Sequence, residues 1–294
     1  MKFISINHKM LAISIIGCLL VSILTAGIMR FIVQDYVKDM ESQHIDVTYK
    51  NLELILNHEE SDLKRTNLDW AQWDDTYAYL DGKGVAEYEK ANLQAETMQH
   101  LHLNFMIFID AQGKIRKNLN RNMTAELEDL IISKILFQRN VLFIPVNNSD
   151  VRSGILSAGG QIFLVSFSPI TTTDEKSLSN GMLIVGRVLD NALFYYINSV
   201  SQAKIEMYDY TGKYKEKDHI DRDEDFITAY RQITDLLGKP DILVKVIMPR
   251  YDYHLGKHYI LIFTAIVFAL VSLVFLVLIL VIHKYFLKRL NQIH

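Results

Sequence analysis

A single cysteine, four prolines and thirteen glycines in 294 residues leave little cross-linking or turn-forming material. One cysteine excludes an intramolecular disulfide framework and a cysteine-rich zinc site. So little proline and glycine excludes a collagen-like chain or a low-complexity linker, and 50% hydrophobic residues exclude intrinsic disorder. Basic excess is also missing. The formal net charge is −3, whereas a dedicated nucleic-acid binder carries a positive surplus, so no nucleic-acid partner is expected. No Gly-x-Ser-x-Gly, P-loop or glycine-rich dinucleotide fingerprint occurs, so no catalytic residue and no cofactor are assigned.

What the chain does have is apolar material in two blocks. Met10 to Met29 and Tyr259 to Ile282 contain no Asp, Glu, Lys, Arg or His and no proline. A bilayer core is crossed by roughly 20 apolar residues of helix, and both blocks are long enough. The first exceeds the roughly 7–15 residues of a signal-peptide apolar region, so it is read as an uncleaved anchor. Lys2 and Lys9 precede the first block, and Lys284, Lys288 and Arg289 follow the second. Positive flanks stay inside, which places both termini in the cytoplasm and the intervening segment outside. The expected layout is a cytoplasmic N-terminus over 1–9, a span over 10–33, an extracytoplasmic domain over 34–257, a second span over 258–282 and the start of a cytoplasmic linker over 283–294. Six basic residues lie at or beyond the spans, so the exported segment carries 25 against all 34 acids, near −9. An acidic surface of that kind does not favour anionic lipid or nucleic acid.

Within that segment no glycine or proline occurs from Ile28 through Asp81. Such a stretch predicts that the first span continues outward as a long stalk helix. Val33, Val37 and Met40 continue one face, and Leu52, Ile55, Leu56 and Leu63 form another at near-helical spacing. Beyond Gly84 the texture changes to short apolar runs broken by turns. Strands are expected over 105–109, 114–120, 141–145, 151–157, 162–170, 181–188, 204–210 and 242–248, with helices over 124–137, 189–200 and 223–237. Thr124 is an expected N-cap, and Thr211-Gly212 an expected turn. Strands this close together favour an antiparallel sheet, giving a mixed α/β (α+β) class.

The most distinctive stretch is Asp69-Trp70-Ala71-Gln72-Trp73-Asp74-Asp75-Thr76-Tyr77, which holds both tryptophans of the chain. On an unbroken helix Trp70, Trp73, Asp74 and Tyr77 would share one face. Two indoles and a carboxylate there could cage an amine through cation–π contact and a charged hydrogen bond. The alternative is that the aromatics wedge the helix against the sheet while Asp74 caps a backbone group. Candidate ligand residues are therefore Asp69, Trp70, Trp73, Asp74, Asp75 and Tyr77, with Arg187 added as a cation at a strand end that could instead pair with a carboxylate. His100 and His102 lack a third ligand for a metal, and Asn57-His58-Glu59-Glu60 lacks the second histidine of a zinc protease. No metal site is assigned. His254 and His258 are read as headgroup-interface residues.

The Asp-Trp-x-x-Trp-Asp-Asp string, reached from an N-terminal span, resembles the extracellular CHASE sensor family, type 4. Leu103 to Gly113, Phe167-Ser168-Pro169-Ile170 and Gly181 to Arg187 are similar to the strands that follow in that family, so the resemblance covers roughly residues 45–190. It implies a Cache-like, PAS-related sensor outside the membrane of a prokaryotic receptor. It also implies a cytoplasmic output, either a cyclic-di-GMP cyclase or phosphodiesterase or a histidine kinase. Such receptors continue into a HAMP linker, whereas His283 to Leu290 resembles only the start of a cytoplasmic helix. The chain is thus expected to be either a fragment or a sensor with a separate output partner.

The sequence reading is accordingly a membrane-bound sensor, embedded in lipid and dimeric, that detects an extracytoplasmic small molecule and displaces its second span relative to the first. An anchored module that recognises a periplasmic protein, and a membrane-anchored hydrolase with dispersed residues, are the two other classes considered.

Overall fold

The computed structural model describes residues 2–137, 151–210, 218–239, 242–282 and 284, with the side chains of 2–11 and 282 left aside. The strand expected over 141–145, the Thr211-Gly212 turn and nearly all of the linker over 283–294 lie outside these residues. The chain divides into two compact units, one formed by Met1–Ile45 with Pro249–His294 and the other by Asp46–Met248.

The first unit is a helix pair. Helix α1 runs unbroken over Lys2–Ala71, as the lack of breakers predicts, and α7 covers Tyr251–Ile282. Both are long and apolar enough to cross a membrane. Ile13, Leu20, Ile23 and Leu24 on α1, and Leu270, Leu273 and Val277 on α7, are exposed, as lipid-facing residues would be. The helices pack antiparallel through small residues. The Cys18 Sγ lies 3.2 Å from Ser272 Oγ, and a Cβ on Gly256 would sit 3.0 Å from Val33. Near the ends of this pair Glu41 and Arg250 are buried at 5% and 9% exposure. Arg250 Nε donates to Glu41 Oε1 at 2.7 Å and Nη2 donates to Oε2 at 3.4 Å. The guanidinium also stacks 4.1 Å from the Tyr253 ring centroid.

The second unit holds two sheets. After α2 (Asp74–Leu80), α3 (Val85–Asn92) and α4 (Ala95–His100) come β1 (Phe105–Asp110), β2 (Ile115–Asn120) and α5 (Ala125–Phe137). Strands β3 (Arg152–Ala158), β4 (Gln161–Ile170) and β5 (Gly181–Val188) complete a five-stranded sheet of order β2-β1-β5-β4-β3, antiparallel at every joint. One face carries Phe105, Ile107, Phe163, Val165, Phe167 and Ile184 against Ile131 and Ile135 of α5. Thr124 Oγ1 accepts from Leu127 N at 3.3 Å, the expected cap of α5. On the other face, buried Asn67 of α1 donates to Ser166 Oγ at 3.1 Å and to Leu183 O at 3.3 Å. Gly186 lies opposite Phe105 in the ladder, and a Cβ there would meet the Phe105 ring at 2.0 Å. Only glycine fits that crossing.

Helix α6 (Asn191–Ser201) leads to β6 (Lys204–Asp209), β7 (Asp218–Arg222), β8 (Phe226–Ile233) and β9 (Ile242–Pro249), ordered β6-β9-β8-β7. This second sheet is tied to α1 by Tyr49, whose hydroxyl donates to Val244 O at 3.4 Å and whose ring lies 4.1 Å from the Arg231 guanidinium. Arg231 also pairs with Asp46 at 3.0 Å.

The expected helix over 223–237 is a strand instead. Buried Ile227 and Ala229 alternate with partly exposed neighbours, a period of two, and the run is rich in β-branched and aromatic residues. Asp223, the first residue of the expected helix, accepts from Asp225 N and Phe226 N and makes the β7–β8 turn. Asp235 does the same at the other end, accepting from Leu237 N and Lys239 N around Gly238 at φ 76. Both aspartates make turns.

Two predictions follow from these buried charges. Glu41→Ala leaves the Arg250 guanidinium buried without its carboxylate, and thermal or denaturant unfolding of the full chain should show a loss of about 3–5 kcal/mol. Replacing both residues by leucine should cost much less. At the β1–β2 turn, Asp110 is buried, and burial opposes its charge. Hydrogen bonds from Lys114 N and Gln112 N and the Arg116 guanidinium at 2.7 Å outweigh that and hold its carboxyl below the ordinary value. A lowered folded value means the contribution is complete above the unfolded carboxylate range and is lost as pH falls through the folded one. Asp110→Asn should flatten the acid limb of a stability–pH profile.

Candidate functional site

The motif lies where α1 ends. Ala71 is its last residue, Gln72 forms a parallel bridge with Thr171, and Trp73 is extended at φ −137 and ψ 131 before α2 begins. Thr171 N donates to Ala71 O at 3.1 Å, so the end of β4 takes up a carbonyl that the helix leaves free. The single helical face expected for Trp70, Trp73, Asp74 and Tyr77 therefore does not form. A break two residues wide separates the first tryptophan from the rest.

The aromatics still meet, by another route. Trp70 and Trp73 are edge-to-face with centroids 6.0 Å apart, and Trp73 lies 5.9 Å from Tyr88 of α3. Tyr88 stacks on Tyr79 at 4.6 Å, and Tyr79 meets Phe108 of β1 at 5.6 Å. The cluster thus runs from the end of α1 to the sheet. Tyr88 shares a 2.7 Å hydrogen bond with buried Thr76, and burial pushes its phenol up to about 12. Tyr79 donates to Glu89 Oε1 at 2.9 Å, and burial first, then that bond, raises its phenol further. Lys117 of β2 donates to Glu89 Oε2 at 2.6 Å and lowers the Glu89 carboxyl.

The polar motif residues divide by role. Asp74 Oδ1 accepts from Thr173 N at 2.9 Å, and Tyr77 donates from its hydroxyl to Leu178 O at 3.2 Å. Asn180 Nδ2 donates to Tyr77 O at 2.8 Å and to Asp81 Oδ1 at 2.9 Å. Asp74 and Tyr77 are clamps, fastening the loop after β4 onto α2. Asp69 and Asp75 are exposed. Asp75 lines a cleft of about 380 Å³ with Lys83, Glu87, Tyr88 and Asn92. Arg187 is not in this cleft. Its Nη1 donates to Glu59 Oε2 at 3.0 Å, its Nε to His102 O at 3.1 Å and its Nη2 to Leu101 O at 3.4 Å. That guanidinium ties α1 to the turn after α4.

Sequence reasoning missed Tyr88 and Glu87. They follow Gly82 and Gly84, where the helical register of the motif ends, and only the fold of α3 onto α2 brings them beside Trp73 and Asp75. Asp75 and Tyr88 are thirteen positions apart, with no periodic signal linking them. Among the described residues no cluster of three or more His, Cys, Asp or Glu is arranged to hold a metal ion.

Comparison with known proteins extends this picture. A curated relative, the methanogenesis regulatory histidine kinase FilI of Methanothrix harundinacea, is 25% identical over 243 residues, covering 79% of this chain. The chain spans 27% of the length of that kinase. Among solved structures, the periplasmic domain of LuxQ from Vibrio cholerae aligns with a TM-score of 0.42 and 12% identity, covering 71% of this chain and 99% of that one. A domain assigned to a sensory box/GGDEF family protein of Vibrio parahaemolyticus aligns with a TM-score of 0.45 and 12% identity, covering 74% and 96%. Residues 55–208, just over half of the chain and including the Trp-Asp-Asp motif and the whole first sheet, match the CHASE4 domain, a sensor input module. The chain belongs to the CHASE4 family.

Proposed function

We propose that this chain is the input part of a two-pass membrane receptor, with spans over 10–33 and 258–282, both termini cytoplasmic and residues 34–257 sensing outside. The observation that carries this reading is the continuity of α1. One helix joins the first apolar block to Ala71, two residues before Trp73, without a break in 70 residues. A ligand that repositions the Trp73–Asp75 corner therefore acts on the end of a helix whose other end lies in the first apolar block. The return path is equally short, because Arg250 alone separates β9 from α7. The signal is a bias between two arrangements of α1 and α7, passed in a homodimer to a cytoplasmic histidine kinase or cyclic-di-GMP enzyme.

The ligand in this reading is a small amine-bearing molecule in the cleft beside Asp75. Two exposed carboxylates, Asp75 and Glu87, supply charge-assisted acceptors in a cleft that Tyr88 and Lys83 also line. Trp73 packs on Tyr88 of that cleft and Trp70 on Trp73, while Asp74 and Tyr77 hold the loop that would respond. A second reading, recognition of an extracytoplasmic protein, is favoured by Tyr195 and Tyr196 of α6, exposed at 78% and 56%.

The experiment uses the full chain in nanodiscs and a screen of amines and amino acids by thermal shift. A ligand at about 100 times its Kd adds roughly 2.7 kcal/mol. Asp75→Asn, at an exposed position, should keep the fold and weaken binding by about 10- to 100-fold, the worth of one charged hydrogen bond of roughly 1.5–3 kcal/mol. Ser272→Cys places a second thiol opposite Cys18 and reports the spacing of the spans. The saturating ligand should change the rate at which that pair oxidises to a disulfide. Unchanged stabilisation in Asp75→Asn would remove the cleft from the proposal, and an unchanged oxidation rate would remove the relay.

A further inference from the structure

Within the second unit, α6 and β6 flank a cleft of about 470 Å³ that shares no lining residue with the Asp75 cleft. One wall is a single face of α6. Asn191, Phe194, Tyr195 and Asn198 all line the cleft, and they stand at i, i+3, i+4 and i+7, the spacing that puts helical residues on one face. That face reads amide, aromatic, aromatic, amide. Another wall is β6, where Lys204, Glu206 and Tyr208 alternate and so share a face of the strand. The β3–β4 turn adds a third amide, Gln161, and the buried residues Ile162, Leu189 and Ile205 also line the cleft.

The charges in this lining are spent on one another. Lys204 Nζ lies 2.6 Å from Glu206 Oε1, Lys245 approaches Glu206 Oε2 at 3.7 Å, and the Tyr208 hydroxyl donates to the same carboxylate. Lys204 first, and then Tyr208, hold the Glu206 carboxyl below its ordinary value. What remains for a ligand is neutral. Tyr195 is 78% exposed, and Gln161 and Asn191 are exposed amides. Asn198 Oδ1 accepts from Ile205 N at 2.7 Å, which fixes α6 against β6 and leaves Nδ2 to donate. An ionic ligand requires a counter-ion, and this lining has already paired the two it holds. A purely apolar ligand would cover three amides without bonding them, which is costly.

We propose that this cleft binds a neutral saccharide of about two rings. A pyranose has an apolar C–H face and a rim of hydroxyls, each both a donor and an acceptor. The C–H face meets the electron-rich face of an aromatic ring, here Tyr195 with Phe194 beside it. Amides also donate and accept, and they take the hydroxyls. Asn191 and Asn198 lie seven positions apart, about 10 Å along the helix. The polar groups are therefore spread over more than one ring. They do not converge on one edge, as recognition of a single planar base requires. The site stands independently of the Asp75 cleft and of the side of a membrane on which the unit lies.

The test uses the full chain in lipid nanodiscs, because a maltoside detergent would itself present a disaccharide. Saturation-transfer NMR against maltose, cellobiose and diacetylchitobiose should show transfer to the ring C–H protons of at least one of them. Adenosine and glucuronate serve as planar and anionic controls. Tyr195→Ala and Gln161→Ala, both at exposed positions, should keep the thermal unfolding midpoint and weaken binding of that sugar by roughly tenfold and roughly threefold. Tyr196→Ala, at the adjacent tyrosine outside the lining, should leave binding unchanged, as should Asp75→Asn. No transfer to any of the three sugars, or undiminished binding in Tyr195→Ala, would overturn the site. Stronger transfer to adenosine or glucuronate would overturn the saccharide and reassign the cleft to planar or anionic solutes. A loss in Asp75→Asn would move the sugar to the other cleft and overturn this one.

Discussion

The buried pairing of Glu41 with Arg250 governs how the chain enters and leaves its helix pair. Arg250 is the one residue between β9 and α7, and its two-point bond to Glu41 fixes the start of α7 against α1. Removing two charges from water is costly, and the Coulomb attraction recovers that cost only when geometry and hydrogen bonding are good. Here the contact is bidentate and backed by the Tyr253 ring. A pair of leucines could hold the helices as firmly. What an ion pair adds is registry, since a shift of one residue along either helix would strand a buried charge.

Helix α1 meets three different demands along its length, and each leaves its mark on composition. Its first part exposes Ile13, Leu20 and Leu24 to the surroundings and buries Cys18 and Ser22. The middle buries Val37, Glu41 and Ile45, and further on Tyr49, Leu52, Leu56 and Leu63 are covered. Near its end Asn67 reaches the sheet with two hydrogen bonds through one amide. A helix can carry such successive faces because each needs only a stripe about 100° wide. Its outward extension follows from having no glycine or proline after Gly27, and its end follows from something else.

That end shows where the sequence stops being informative. The breaker-free stretch, the Gly159-Gly160 hairpin, the cap at Thr124 and most strands are legible because periodicity, turn residues and caps act locally. Nothing local ends α1 at Ala71. The cause is the bridge from Gln72 to Thr171 and the bond from Thr171 N to Ala71 O, made by a strand about a hundred positions on. The same holds for the site. Trp73, Asp74 and Asp75 are conspicuous as residue types, yet their roles come from partners that the sequence does not point to. Asp74 is a clamp because Thr173 arrives beside it, and Asp75 lines a cleft because α3 folds back. At Asp223 and Asp235 the error has a different origin. Both aspartates bind backbone N–H groups in turns, and only the alternation from Phe226 to Ile233 marks the stretch between them as a strand rather than a helix.

The two apolar helices hold each other lightly. Lipid is as apolar as leucine, so association in a bilayer depends on close packing of small residues and on polar contacts. In this pair those are Gly17 against Phe275, Gly256 against Val33, and the Cys18–Ser272 contact, with most of the bulky side chains turned outward. The Glu41–Arg250 bond sits at the other extreme, because a displacement there would pull a buried charge away from the group facing it. The register of the helix pair is therefore set at residues 41 and 250 rather than along the apolar blocks.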